Sequence, residues 1–126
     1  MSKGLGEEDD HPFVVERADL EERRCRLTLR GELDLAAVPL LQHAVDHACG
    51  EGKHHVSVDA ASVNFIDSAG LMVLLNAREQ LREAGGTFRV TAASPPVVRI
   101  LEIAMLADEL LDTSESGPPD GDSPLV

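Results

Sequence analysis

Long apolar runs, cysteines and basic residues are all scarce in this sequence of 126 residues. No run approaches the ~18 consecutive apolar residues of a membrane helix, and the first residues lack the apolar middle of a signal peptide. The two cysteines, Cys25 and Cys49, fit a reducing compartment in which both stay as small apolar fillers. We therefore expect a cytoplasmic location, no membrane partner and no disulfide scaffold.

Basic residues number 11 against 23 acidic residues, which gives a formal net charge of -12. Because phosphate binding needs clustered lysine and arginine, this balance argues against direct nucleic-acid binding. Acidic residues are dense at both ends, where residues 1–11 combine them with glycine and residues 112–126 combine them with glycine, proline and serine. Both ends are predicted to be disordered acidic tails, which leaves one domain at residues 12–111.

Strand-like and helical segments alternate within this domain. Residues 13–18 and 24–31 predict a hairpin. In its second strand Cys25, Leu27 and Leu29 alternate with polar residues, so one face of this strand is expected to be exposed to solvent. The remaining predictions are a helix at 35–49, a strand at 54–60, a loop at 61–67, a helix at 69–84, a strand at 87–93 and a helix that Ser94 caps and Pro95 begins.

This order of segments predicts an α/β fold. Strands linked by helices normally run parallel through right-handed crossovers, so a mixed sheet of four to five strands is expected. The alternating strands indicate that helices cover mainly one face of the sheet. If strands two, three and four are parallel, the loops after them emerge at one edge, where open sheets present sites. The candidate neighbours at that edge are Asp34, Asp67, Ser68 and Ser94.

Motifs of enzymes and metal sites are missing from the sequence. A G-x-S-x-G nucleophile elbow would need glycine where Ile66 stands, and His54 and His55 are predicted at the opposite edge of the sheet. His43 and His47 are four residues apart on a helix, but no H-E-x-x-H glutamate lies between them. No glycine-rich phosphate loop precedes a helix. We expect neither enzymatic activity nor a metal or cofactor.

Ser68 lies where an apolar segment passes into a helix, and its position allows two interpretations. Serine is a favoured N-cap, so its hydroxyl could simply bond a free backbone N–H of the helix. The same helix start, with its positive dipole end, could also hold a phosphate of about -1.5 to -2 charges. That new anion, beside Asp67 and Asp34, would repel a partner docked at this edge. Such a site would be a switch.

Four motifs in order carry a resemblance to a known family: residues 31–39 (GELDLAAVP), 63–75 (VNFIDSAGLMVLL), 81–86 (LREAGG) and 94–106 (SPPVVRILEIAML). The chain resembles the bacterial STAS-domain family of anti-sigma factor antagonists. The resemblance implies a single STAS-like domain with no enzymatic activity of its own. It also implies binding to an anti-sigma factor that is a serine kinase, and control of sigma-factor-dependent transcription by partner switching.

The resemblance gives roles to five positions. It implies that Ser68 is the phosphoacceptor, that the kinase uses ATP to modify it and so releases the partner, and that a PP2C-type phosphatase resets it. Asp34, Asp67 and Gly70 match the other positions of the family's motifs, and Ala69 offers no competing hydroxyl. All five residues are expected to bind the partner.

Simpler roles stay open for these residues. Asp34 could merely cap the first helix, Asp67 could merely favour the helix dipole, and Gly70 could be a tolerated helical glycine instead of a point of close approach. Phe65 and Ile66 are expected in the core. The alternative function is a non-enzymatic STAS subunit of a stressosome or phospholipid-transport complex, which would bind its partner without a phosphorylation step.

Overall fold

The structure, a computed structural model, describes residues 13–112. In chain order this range forms β1 (Val14–Asp19), β2 (Arg24–Leu33), α1 (Val38–Gly50), β3 (His55–Ile66), α2 (Ser68–Glu83), β4 (Thr87–Ala93), α3 (Pro95–Ile103) and α4 (Ala107–Leu110). A short 3-10 turn, Leu35–Ala37, leads into α1. The predicted tails lie outside the described residues, apart from Asp112.

The strands form one mixed sheet in the order β1-β2-β3-β4. β1 and β2 pair as an antiparallel hairpin, whereas β2 with β3 and β3 with β4 run parallel and are connected by α1 and α2. Parallel neighbours require such crossovers, because the chain must return to the same end of the sheet before the next strand begins. The predicted α/β fold with a mixed sheet is therefore confirmed.

One face of the sheet carries the core, and all four helices of the described range contribute to it. Along β2 the burial alternates, with Cys25, Leu27 and Leu29 inside. Burial disfavours the thiolate and thereby raises the pKa of Cys25. The other face of the sheet stays open, as the alternation predicted. The helical members of the core are Leu41, Val45 and Ala48 of α1, Val73, Leu74, Ala77 and Leu81 of α2, Val97 and Leu101 of α3, and Leu110 of α4.

β3 is longer than predicted, because the segment expected to be a loop at 61–67 continues the strand to Ile66. Two register shifts break the apolar alternation there, so a strand that pairs with β2 looked like a loop. The pairing with β2 extends to Ile66 opposite Leu33, but the pairing with β4 ends at Ala60 opposite Ala93. β3 and β2 thus project beyond β4 at the carboxyl edge of the sheet.

The ends of the helices follow the predicted signals. α2 begins and ends one residue earlier than predicted, and Gly85 follows it with a φ of 84°, the left-handed conformation that suits glycine. At the end of the domain, the N–H of Asp112 donates to Val90 O at 2.8 Å, so this residue joins the sheet edge and not the predicted tail. No helix in the described range is long and apolar enough to cross a membrane.

Candidate functional site

Two aspartates lie side by side at the carboxyl ends of β2 and β3. The last register pair of these strands is Leu33 with Ile66, so the next residues, Asp34 and Asp67, are separated by about one strand spacing of 4.8 Å. Their backbones are alike, with φ and ψ of -114° and -172° at Asp34 and of -116° and -173° at Asp67. The sequence-based prediction that they are neighbours is confirmed.

Both aspartates cap the helical segment that follows them. The Ala37 N–H donates to Asp34 Oδ1 at 3.1 Å, and the Gly70 N–H donates to Asp67 Oδ1 at 2.9 Å. A carboxylate in this position satisfies one of the unpaired N–H groups of a helix start and favours the positive dipole end. The simpler role considered for Asp34, capping, is therefore confirmed, and Asp67 has the same role for α2.

Ser68 is the first residue of α2 and is exposed. The prediction that Ser68 caps this helix is wrong, because Asp67 occupies the cap position and already supplies the acceptor. Within residues 13–112, the Ser68 hydroxyl makes no hydrogen bond with another group. A hydroxyl that is exposed and not committed to the fold can be modified without loss of a structural contact.

The first turn of α2 also has free donors next to Ser68. The Gly70 N–H is used by the Asp67 side chain and the Leu71 N–H donates to Asp67 O at 3.0 Å. The N–H groups of Ser68 and Ala69 have no acceptor within the described part of the chain. Two unpaired donors at the positive end of a helix form a favourable environment for an anion attached to Ser68.

Gly70 is buried against the end of β2. A Cβ atom there would overlap the carbonyl oxygen of Leu33 and would lie 2.9 Å from Leu33 Cγ. A close approach therefore exists at Gly70, and the chain's own strand β2 makes it, while the contribution of Gly70 to partner binding stays a prediction. Glycine here allows α2 to start directly beside β2, and this contact brings Ser68 to the edge of the sheet.

Apolar side chains are exposed around Ser68. Leu35 is 70% exposed, Phe65 is 47% exposed and Met72, one helical turn beyond Ser68, is 51% exposed. The prediction that Ile66 is a core residue is confirmed, but the same prediction for Phe65 is wrong, because the register shift in β3 turns it away from the core. We call Leu35, Phe65, Ser68 and Met72 the rim surface.

Ser94 does not join this site. It follows β4, and its N–H donates to Ala60 O at 3.1 Å, so the six residues of β3 beyond Ala60 separate it from Ser68 by roughly 20 Å. Ser94 is at the predicted N-cap position of α3, but its hydroxyl is buried and makes no capping hydrogen bond. The prediction that Ser94 is a neighbour of Asp67 is therefore wrong, because β3 extends six residues beyond its last pair with β4.

The histidines form no site with these residues. His43 and His47 stack on α1 with ring centroids 5.7 Å apart, and His55 begins β3 at the opposite edge of the sheet. Among the residues that the structure describes, no group of three histidine, cysteine, aspartate or glutamate side chains could hold a metal ion. The candidate site thus consists of a free hydroxyl, two capping carboxylates and exposed apolar side chains.

Comparison with known proteins places this chain among bacterial regulators. The family model described as "Mlab, STAS domain" matches residues 16–112. The anti-sigma-B factor antagonist of Staphylococcus epidermidis is 31% identical over 78 residues, which are 62% of this chain and 72% of that protein. The anti-sigma F factor antagonist of Paenibacillus polymyxa is 30% identical over 91 residues, which are 70% of this chain and 78% of that protein.

Solved structures share the fold. The unphosphorylated form of the anti-sigma factor antagonist SpoIIAA superposes with a TM-score of 0.67 at 24% identity, over 82% of this chain and 90% of that one. The phosphorylated form of SpoIIAA from Bacillus gives 0.66 at 20% identity, over 82% and 94%. These likenesses confirm the mixed sheet with its helices.

Proposed function

The chain belongs to the STAS-domain family of anti-sigma factor antagonists, and from this premise we propose that it binds an anti-sigma factor through the rim surface. The partner is a serine kinase, and the unphosphorylated chain holds it and so frees a sigma factor for transcription. Phosphorylation of Ser68 releases the partner. The observation that carries this proposal is the exposed Ser68 hydroxyl, which Asp67 relieves of any capping role.

Apolar contact supplies the affinity in this proposal. Leu35, Phe65 and Met72 are 70%, 47% and 51% exposed, so burying the remaining surface of each would contribute about half to two thirds of the ~1.5–3 kcal/mol of a fully exposed side chain, before the losses of association. Because Ser68 lies among them, a docked partner covers the hydroxyl. Modification of Ser68 therefore changes a surface from which the partner must displace water when it binds.

Phosphorylation changes this surface by charge. The kinase transfers the γ-phosphoryl group of ATP to Ser68 Oγ, ADP leaves, and the hydroxyl proton passes to a base of the kinase. The new phosphate group carries about -1.5 to -2 charges near neutral pH. It can accept hydrogen bonds from the free N–H groups of Ser68 and Ala69 without unfolding α2. Beside Asp34 and Asp67 it repels an acidic partner group and resists dehydration. A loss of about 2.7 kcal/mol would weaken binding roughly a hundredfold.

Reversal needs a second enzyme in this scheme. A PP2C-type phosphatase hydrolyses the phosphoester and restores the free hydroxyl of Ser68. The domain itself contributes no catalytic residue, and its part is to present Ser68 at the start of α2. SpoIIAA, which has the same fold, occurs in an unphosphorylated and a phosphorylated form, and this supports a two-state cycle.

A second candidate uses the same rim surface without modification. A non-enzymatic STAS subunit of a stressosome or phospholipid-transport complex would need exposed apolar side chains for permanent assembly, and Leu35, Phe65 and Met72 provide them. This candidate predicts partner binding that does not depend on the charge at Ser68.

A capture experiment from the native cell extract separates the two candidates. Baits carrying Ser68→Ala and Ser68→Asp are compared, with Asn76→Asp as the control because it adds the same charge at an exposed position two turns further along α2. We expect an anti-sigma kinase on the Ser68→Ala and Asn76→Asp baits and its loss from Ser68→Asp. The same partner on all three baits would favour the permanent subunit, and the absence of any such kinase would refute the proposed switch.

A further inference from the structure

The open face of the sheet carries donors in register across three strands. Arg24 of β2, His55 of β3 and Thr87 of β4 are aligned in one row. Two residues further on, Ser57 and Arg89 are aligned in the next row. Because side chains two residues apart in a strand share a face, both rows point to the same side, away from the core.

These side chains line a pocket of about 250 Å³. It lies at the amino ends of the parallel strands, whereas Ser68 lies beyond their carboxyl ends. Arg24 and Arg89 stand two strand spacings apart across the sheet and two residues apart along it, or roughly 12 Å, with His55 and Ser57 of β3 between their strands. At about 250 Å³, the pocket is smaller than the 300–1,000 Å³ typical of sites for larger ligands, so it suits a small one.

Positive charge in this pocket is only partly compensated. Within residues 13–112, Arg24 has no carboxylate within 4 Å, whereas Arg89 pairs at 3.4 Å with Asp112, a carboxylate that also lines the pocket. By contrast, Arg17 on the edge strand binds Glu51 at 2.6 Å. In a chain of net charge -12, an arginine without a counter-ion that faces a second arginine across a pocket is a notable concentration of positive charge.

The neutral groups of the pocket add hydrogen-bonding capacity. His55 Nδ1 and Thr87 Oγ1 are 3.1 Å apart, so this bond fixes the imidazole ring. The Ser57 hydroxyl makes no hydrogen bond with another group in the described range. Guanidinium groups combined with hydroxyl and imidazole groups match the several acceptor oxygens of a phosphate group.

We propose that this pocket binds a small anion that carries a phosphate group, held between Arg24 and Arg89 and hydrogen-bonded by Ser57 and by one donor of the His55–Thr87 pair. This site is independent of the rim surface, and its occupation does not require the proposed cycle at Ser68. The pocket volume limits the ligand to a small molecule.

A titration of the full chain with inorganic phosphate, followed by two-dimensional NMR of its amides, tests this site. Sodium chloride at matched ionic strength controls for screening. We expect saturable shifts at residues of the two rows. Replacement of Arg24 or Arg89 by Gln should weaken binding about tenfold, because a hydrogen bond to a charged group is lost.

The matched control is Arg30→Gln, which removes an arginine from β2 outside the pocket, where it pairs with Glu16 at 3.0 Å. This variant should bind phosphate as the unmodified chain does. The proposal fails if the shifts do not saturate, if sodium chloride reproduces them, or if Arg30→Gln weakens binding as much as Arg24→Gln.

Discussion

The starts of α2 and α3 both carry a serine at the end of a parallel strand, but only one presents it. At α2, Asp67 makes the capping hydrogen bond and Ser68 is exposed. At α3, Ser94 itself occupies the cap position, is 5% exposed and makes no capping bond. In this chain, the serine that is exposed and free for modification is the one whose helix is capped by its neighbour, Asp67.

Strand length explains this difference. β3 extends past the last residue that pairs with β4, so α2 starts at a free edge beside β2. Ser94 instead lies against the flank of β3, bonded to Ala60 O. Pro95 and Pro96 follow it, and their missing N–H groups leave the start of α3 with few donors for an anion.

The largest expected contrast comes from placing a charge at each serine. Ser94→Asp would bury a carboxylate without a partner, and we expect the free energy of unfolding to fall by about 3 kcal/mol or more. Ser68→Asp adds its charge in solvent at a helix start and should change stability by less than about 0.5 kcal/mol. Urea unfolding measures both. Equal losses in the two variants would refute the distinction between the two helix starts.

The contact of α2 with β2 is tested at Gly70. Gly70→Ala forces a methyl group onto Leu33 and should lower the free energy of unfolding by about 2 kcal/mol. The matched control is Gly50→Ala at the end of α1, where a Cβ meets nothing within 4 Å, so a neutral effect or a gain of up to about 1 kcal/mol is expected. A Gly70→Ala variant as stable as Gly50→Ala would show that the start of α2 is not held against β2.

A smaller contrast concerns the capping groups. Asp67→Ala should cost about 1 kcal/mol because the Gly70 N–H loses its acceptor, and Asp67→Asn should restore most of this loss. Ser94→Ala removes a buried hydroxyl without a hydrogen bond and should be neutral or slightly stabilising. Thermal unfolding of the three variants checks the order, and a larger loss for Ser94→Ala than for Asp67→Ala would contradict it.

The sequence predicted much of the fold but less of the site. Apolar alternation in β2 and the helix stop at Gly85 depend on local rules, so the hairpin, the helices and the mixed sheet could be predicted. The extent of β3 could not, because its last residues are held by pairing with β2 across two register shifts. The exposure of Phe65 and the separation of Ser94 follow from that pairing.

Local sequence rules also could not assign the roles of Asp67 and Ser68. Aspartate and serine are both favoured N-caps, so residue type alone could not decide which of two adjacent residues caps α2. The backbone decides, because Asp67 has the extended conformation of a cap and Ser68 has already entered the helix. The strand order predicted Asp34 and Asp67 at the same edge, but their side-by-side position follows only from the register of Leu33 with Ile66.

The most direct test of the account is to map the phosphoryl group. The partner captured by the Ser68→Ala bait is incubated with ATP and the unmodified, Ser68→Ala and Ser94→Ala chains, and peptides are then analysed by mass spectrometry. The account predicts one phosphoryl group on Ser68 in the unmodified and Ser94→Ala chains, none in Ser68→Ala, and release of the modified chains from the partner. A phosphoryl group at another residue, or a chain that keeps its partner after modification at Ser68, would contradict it.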